Sequence, residues 1–208
     1  AKAKRRRQIM VATSSIGPGA LNMVTAAGTA HANRLPVLLI AGDTFTSRLP
    51  DPVLQQVEHF SDPSITVNDA FKAVTRYWDR ITHPAQIIHS LPQAVGAMLD
   101  PADCGPAFIA LPQDTQEIAF DYPVVFFEER TWSIPRPRPD RKAVADAAAL
   151  LKTAKKPLII AGGGVRYSGA EAVVAKFAAE RGIPVVETIA GKGGLTHYHP
   201  VHAGPIGI

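Results

Sequence analysis

Three short runs of almost unbroken apolar residues mark the first half of the chain, each closed by small or turn-forming residues. Residues 8–13 (QIMVAT), 36–41 (PVLLIA) and 107–111 (AFIAL) have the length and composition of strands buried in a sheet. Between the first two lie the turn Ser14-Ser15-Ile16-Gly17-Pro18-Gly19 and an Ala-rich stretch, 20–33, which predicts a helix. Gly42-Asp43 closes the second strand and Pro112 the third. Strand, glycine turn, helix and strand in this order predict a βαβ unit, whose parallel sheet is covered on both faces. Residues 84–99 carry apolar positions at helical spacing (Ile87, Ile88, Leu91, Val95, Met98, Leu99), with Pro92 placed to kink that helix. Residues 71–81 are amphipathic and leave helix and strand both open. The stretch 44–64 shows no period and contains Pro50, Pro52 and Pro63; a loop this long inside a compact domain is usually functional or mobile.

The pattern then changes. Residues 122–139 lose periodicity and end in Pro135-Arg136-Pro137-Arg138-Pro139, which favours extended, semi-rigid backbone and reads as a linker over 122–140. Beyond it a second α/β pattern begins: helix 142–154, strand 157–161, Gly162-Gly163-Gly164, helix 169–181, strand 184–187 and the turn 191–194. Two parallel strands leave much apolar surface uncovered, so this second unit is expected to be part of something larger.

Composition narrows the classes. With 208 residues, 46% hydrophobic and 19% charged, the chain can bury a core and does not read as disordered. No apolar run approaches the roughly 20 residues of a membrane-spanning helix. The single cysteine, Cys104, excludes an internal disulfide framework and a Cys-based zinc site, and fits a reducing cytoplasm. The net charge of +4 invites a nucleic-acid reading, but Lys2, Lys4, Arg5, Arg6 and Arg7 account for more than all of it. Such a run is more often a solvated helix end than a phosphate or membrane contact, so neither nucleic acid nor membrane is expected as a partner. The chain starts at Ala1 without Met and stops at a Gly-Pro-Ile-Gly-Ile sequence, so both ends are expected to be cut.

Common site motifs fail one by one. A dinucleotide fingerprint from Gly162 meets Tyr167 where glycine is required, and a P-loop ending in Gly191-Lys192 meets Gly193 in place of Ser or Thr. Thr13 stands where a nucleophile elbow needs its first glycine. His197, His199 and His202 are the only histidine cluster, and no metal site is assigned to them. What remains is the first glycine turn, between a strand end and a helix start, where open α/β sheets place their ligand crevice. By spacing alone, a ligand-contacting turn and a plain tight turn are equally good readings.

Residues 13–22 (TSSIGPGALN) followed by 36–42 resemble the pyrimidine-binding domain of thiamine-diphosphate-dependent enzymes of the acetolactate synthase type. Residues 107–114 (AFIALPQD) resemble the end of that domain, and 155–164 (KKPLIIAGGG) with Ile183-Pro184-Val185 the start of the family's middle domain. Residues 4–8 (KRRRQ), 51–58 (DPVLQQVE), 68–71 (NDAF) and 77–81 (YWDRI) are most similar to a branch that hydrolyses a cyclic 1,2-dione in inositol catabolism. Acetolactate synthases and other 2-oxoacid carboligases or decarboxylases are the alternative, with a different loop where this chain has Leu54-Gln55-Gln56. A non-enzymatic basic α/β binding module is the remote one.

The resemblance implies a three-layer αβα pyrimidine-binding domain over 1–121, lacking its N-terminal part, then the linker, then the start of a Rossmann-like middle domain over 141–208. It implies thiamine diphosphate and Mg2+ as cofactors of a cytoplasmic homo-oligomer whose active sites form between subunits. Gly17, Pro18, Gly19 and Asn22 would lie beside the aminopyrimidine ring, and Gln55 or Gln56 would reach the substrate side. The family's activating glutamate is expected upstream of Ala1, and no carboxylate of this chain is given its role. The family's Gly-Asp-Gly…Asn metal element is likewise expected outside this chain. The 208 residues alone are therefore expected neither to hold the cofactor tightly nor to turn over. The chemistry would be the cofactor's, with the protein supplying orientation and electrostatics.

Overall fold

A computed structural model describes residues 8–49 and 53–207. Ala1, upstream of which the activating glutamate is expected, and the basic run at 2–7 lie outside the described residues. The chain divides into two compact units, one running to Pro135 and the other starting at Arg136.

In the first unit, β1 (Met10–Ser14) leads through the glycine turn into α1 (Pro18–Leu21) and α2 (Val24–Ala32), and then into β2 (Val37–Asp43). A 3-10 segment, Val67–Ala73, precedes β3 (Tyr77–Arg80). A further 3-10 turn, Pro84–Gln86, runs into α3 (Ile87–Met98), followed by β4 (Ala107–Pro112) and α4 (Gln113–Gln116). The sheet order is β1-β2-β4-β3 and every pairing is parallel. Strand periodicity explains the two sides of the core. Leu39, Ala41, Phe108 and Ala110 face one side and pack with Ala20 and Ala27 of α1 and α2 and with Phe71, whose ring stacks on Phe108 at 4.0 Å. Leu38, Ala107 and Ile109 face the other side and pack with Ala94 and Met98 of α3. Helices thus cover both faces of a parallel sheet.

Three expectations are corrected and one stretch left open is resolved. The run 8–13 is not buried as expected: among the described residues β1 pairs with β2 alone and leaves Met10 46% and Val11 61% exposed. The stretch 20–33 forms two helices rather than one, interrupted at Asn22 and Met23. The ambiguous 71–81 resolves into the end of the 3-10 segment and β3. There a capping box closes the 3-10 start, with Thr66 accepting from Asn68 N–H and Asp69 accepting from Thr66 N–H. The third correction concerns the second unit.

That unit contains α5 (Arg141–Thr153), β5 (Ile159–Ala161), α6 (Gly163–Ser168), α7 (Glu171–Arg181), β6 (Val185–Glu187) and β7 (His202–Pro205). Its sheet has three strands, not two, in the order β5-β6-β7 and again parallel. The third strand, HAGP, is short and glycine-bearing and carries no strand pattern; pairing with β6 imposes its extension. The Gly162-Gly163-Gly164 turn is also the start of α6. Asp140 caps α5 by accepting from Ala143 N–H at 2.8 Å, yet all of α5 is exposed. No helix among the described residues is long and apolar enough to cross a membrane.

Candidate functional site

The carboxyl ends of β1, β2 and β4 open onto a cavity of about 330 Å3, bounded by Ser14, Ser15, Ile16, Gly42, Asp43 and Gln113 among others. This is where parallel sheets expose strand-end backbone and the starts of helices. The glycine turn forms one rim. Gly17 has φ +67° and ψ −123°, a conformation that L side chains rarely adopt, and is buried. A Cβ at Gly17 would stand 1.6 Å from the backbone oxygen of Gln55. The glycine therefore does two things: it makes the turn, and it lets the long loop lie against it.

The sequence-selected residues fall into two groups. Gly17 and Gln55 are in direct contact through backbone, and Gln56 follows with its side chain 2% exposed. Pro18 is exposed and Gly19 half-buried on the short helix α1 that the turn begins, and Asn22, the residue that ends α1, is exposed. The Gln55 side chain is exposed, whereas Gln56 lines a second cavity inside the loop. The two glutamines thus present different faces.

A charged network that the sequence pattern did not single out holds this region together. Asp43 is fully buried at the end of β2, and Arg80, at the end of β3, donates to it from Nε at 2.7 Å. A second guanidinium nitrogen of Arg80 donates to Thr66 Oγ1 at 2.8 Å and to Asp69 Oδ2 at 3.0 Å. Asn68 donates from Nδ2 to the Gly42 carbonyl at 2.8 Å, and Trp78 donates from Nε1 to the Asn68 carbonyl at 2.9 Å. Lys72, paired with Asp69 at 2.7 Å, lies over the Trp78 ring. Burial by itself would push the Asp69 carboxyl up, but Lys72, the Thr66 N–H and Arg80 hold it below the ordinary carboxylate value. The only sequence trace of this network is charged residues at strand ends, with no period to mark them.

Asp114, just after β4, anchors the start of the long loop. Its carboxylate accepts from Thr46 N–H at 3.0 Å, Thr46 Oγ1 at 2.7 Å, Ser47 N–H at 3.0 Å and Thr115 N–H at 3.0 Å. Burial acts to raise its pKa, and these donors outweigh burial and lower it. A carboxyl depressed in the folded state stabilises above its unfolded value, about 4, and loses that contribution as pH falls through the folded value. Asp114→Asn is therefore expected to lower stability at pH 7 by about 1–2 kcal/mol. In thermal melts across pH, the gap to the wild type should narrow below pH 4; a constant gap would refute the ionic origin.

In the second unit, Glu187 at the end of β6 organises the turn 191–195. Burial favours its neutral form, but the N–H groups of Leu195 and Gly193, at 2.8 and 2.9 Å, and of Gly194 hold its pKa down. His202 Nε2 lies 3.5 Å from the same carboxylate. Of the three clustered histidines, only His202 reaches an acidic partner here, and among the described residues no three His, Cys, Asp or Glu side chains converge to hold a metal.

Comparison with known proteins gives a consistent result. The family described as "Thiamine pyrophosphate enzyme, N-terminal TPP binding domain" matches residues 1–63, and "Thiamine pyrophosphate enzyme, central domain" matches residues 144–208. Over its whole length the chain is 52% identical to a 3D-(3,5/4)-trihydroxycyclohexane-1,2-dione hydrolase of Geobacillus thermodenitrificans, covering 33% of that protein. It is 51% identical to the protein of that name in Clostridium tetani, covering 32% of it. The chain thus spans about a third of the length of these relatives. The X-ray structure of a protein from Mycobacterium smegmatis, assigned as a thiamin diphosphate-dependent enzyme, superposes with a TM-score of 0.75. It shares 22% identity, over 99% of this chain and 38% of that one, a likeness of fold.

Proposed function

The chain belongs to the thiamine pyrophosphate enzymes, and from that premise we propose that it serves a hydrolase that opens the ring of a trihydroxycyclohexane-1,2-dione. The observation that carries this reading is identity of 50–52% along all 208 residues with relatives bearing that name.

The residues around the strand-end cavity fit the aminopyrimidine half of thiamine diphosphate. Ser14, Ser15 and Ile16 bound that cavity, and the same turn continues into Gly17, closed on one side by the Gln55 carbonyl, a half-buried Gly19 and an exposed Asn22 amide able to donate and accept. When bound, the cofactor would supply a nucleophilic carbon and an electron sink for carbon–carbon bond cleavage. On this reading Gly17, Pro18, Gly19 and Asn22 flank the pyrimidine, the Gly17–Gln55 contact fixes the long loop beside it, and Gln55 and Gln56 orient the dione. Pyrimidine activation is assigned to a glutamate upstream of Ala1, and Mg2+ binding to no residue of this chain. Inositol catabolism, a cytoplasmic location and a homo-oligomer with active sites between subunits complete the proposal.

The test is turnover by the full-length protein supplied with thiamine diphosphate and Mg2+. Consumption of the cyclic dione with release of an open-chain acid resembling 5-deoxyglucuronate is expected. Pyruvate turnover without dione turnover would move the protein to the 2-oxoacid carboligases and decarboxylases.

A further inference from the structure

The 3-10 segment Val67–Ala73 meets the glycine turn by two routes. Phe71 packs with Ala20 of α1 in one buried cluster. Asn68, which has no exposure, reaches the end of β2, where its amide Nδ2 donates to the Gly42 carbonyl at 2.8 Å. The ladder between β1 and β2 ends one step earlier, at the pair Ser14 and Ala41. Beyond it the backbone of Ile16 lies so close to Gly42 that a Cβ there would stand 3.3 Å from the Ile16 nitrogen. Ile16 leads directly into Gly17, so a shift of the Gly42 peptide is passed to the turn.

Asn68 is itself firmly held. Its backbone carbonyl accepts from Trp78 Nε1 at 2.9 Å, and its N–H donates to Thr66 Oγ1 at 3.2 Å inside the capping box. Arg80 ties the same segment to the next residue of β2, bonding to Thr66 and Asp69 on one side and to Asp43 on the other. Gly42 and Asp43 both border the strand-end cavity. The Asn68 Oδ1 finds no hydrogen-bond partner among the described residues. A buried acceptor left unmade costs stability, so core packing does not account for this amide. What it contributes is the bond to the strand end.

We infer that Asn68 is a positioning residue for the cofactor: it fixes the Gly42 peptide and, through Ile16, the height of the Gly17-Pro18-Gly19 turn beside the aminopyrimidine ring. It acts through backbone that it holds in place, the way a supporting side chain preorganises a site. The inference rests on the reading of that turn as the seat of thiamine diphosphate, and adds a residue to it.

Asn68→Leu keeps the branched shape and removes the donor. In the full-length protein, amide hydrogen exchange over residues 15–22 should speed up about fivefold, the equivalent of one lost hydrogen bond, while residues 107–112 of β4 keep their rate. By calorimetric titration in the presence of Mg2+, the Kd for thiamine diphosphate should rise about threefold or more, while KM for the cyclic dione stays within about twofold. Trp78→Phe removes the Nε1–H that orients Asn68 and should give the same pattern at lower amplitude; it decides the matter if Asn68→Leu does not fold. Lys72→Met, in the same charged group but without a bond to β2, should leave exchange and Kd at wild-type values. Unchanged exchange at 15–22 overturns the inference, and so does an equal rise at 107–112, which marks general loosening. If the wild type binds thiamine diphosphate and both the Asn68 and Trp78 variants match its affinity, the inference falls and the cofactor reading stands. If the wild type does not bind it, the cofactor reading falls first and takes the role of Asn68 with it.

Discussion

Replacing Arg80 by methionine is expected to destabilise the first unit by about 3–5 kcal/mol, the usual result of removing one member of a buried ion pair. Asp43 has no exposure at all, and Arg80 Nε at 2.7 Å is its charged partner. Methionine fills much of the volume over Trp78 but leaves a carboxylate in the interior to which, among the described residues, the Thr44 N–H donates at 2.9 Å. The same substitution releases Thr66 and Asp69, whose bonds to Arg80 tie the 3-10 segment to the end of β3. Chemical unfolding monitored through Trp78 measures the loss. Adding Asp43→Asn to the methionine variant should recover at least about 1 kcal/mol, because the expense lies in the orphaned charge and not in the pair as such. If the double variant is no more stable than the single one, the loss comes from packing and the electrostatic account fails.

Gly17→Ala is expected to be the second most damaging substitution, lowering stability by about 2–4 kcal/mol. Two penalties coincide: φ +67° with ψ −123° is unfavourable for alanine, and its methyl would meet the Gln55 carbonyl at 1.6 Å. That oxygen is backbone, so relief requires the 53–58 loop to move rather than a side chain to turn. The variant should therefore show faster proteolytic cleavage within that loop, as well as a lower unfolding midpoint. Gly19→Ala is the control, since a Cβ there meets only the Ser15 Cβ at 3.5 Å; it should cost less than about 1 kcal/mol. Equal losses in the two variants would mean that the turn, and not its contact with the loop, carries the effect.

How much could be read from the chain depends on the kind of signal. The runs PVLLIA and AFIAL declared β2 and β4 because a strand covered on both faces needs unbroken apolar residues. The spacing of Ile87, Leu91, Val95 and Met98 declared α3 in the same way, with Pro92 accommodated inside it. QIMVAT carries the same local signature as those runs, yet among the described residues it has one neighbour, β2, and leaves Met10 and Val11 exposed. Position in a sheet is set by which strands pair, and a strand's own residues do not encode its neighbours. HAGP shows the converse, a strand with no pattern, extended only because β6 offers an edge.

The site divides along the same line. Gly17-Pro18-Gly19 was visible because a special backbone conformation demands special residues. The partner that makes Gly17 irreplaceable, the Gln55 carbonyl, was invisible, because any residue supplies a backbone oxygen. Asp43 and Arg80 are 37 positions apart, and nothing in either neighbourhood announces the other.

By itself, then, the chain determined an all-parallel α/β architecture and the place of a tight glycine turn at a strand end. Those depend on apolar period and on local backbone sterics, which a few consecutive residues specify. Only the tertiary structure decided which strands pair, how the long loop closes on Gly17 and which charges are buried together. Those depend on contacts between distant segments, and burial is a property of the assembled surfaces rather than of any one stretch of residues.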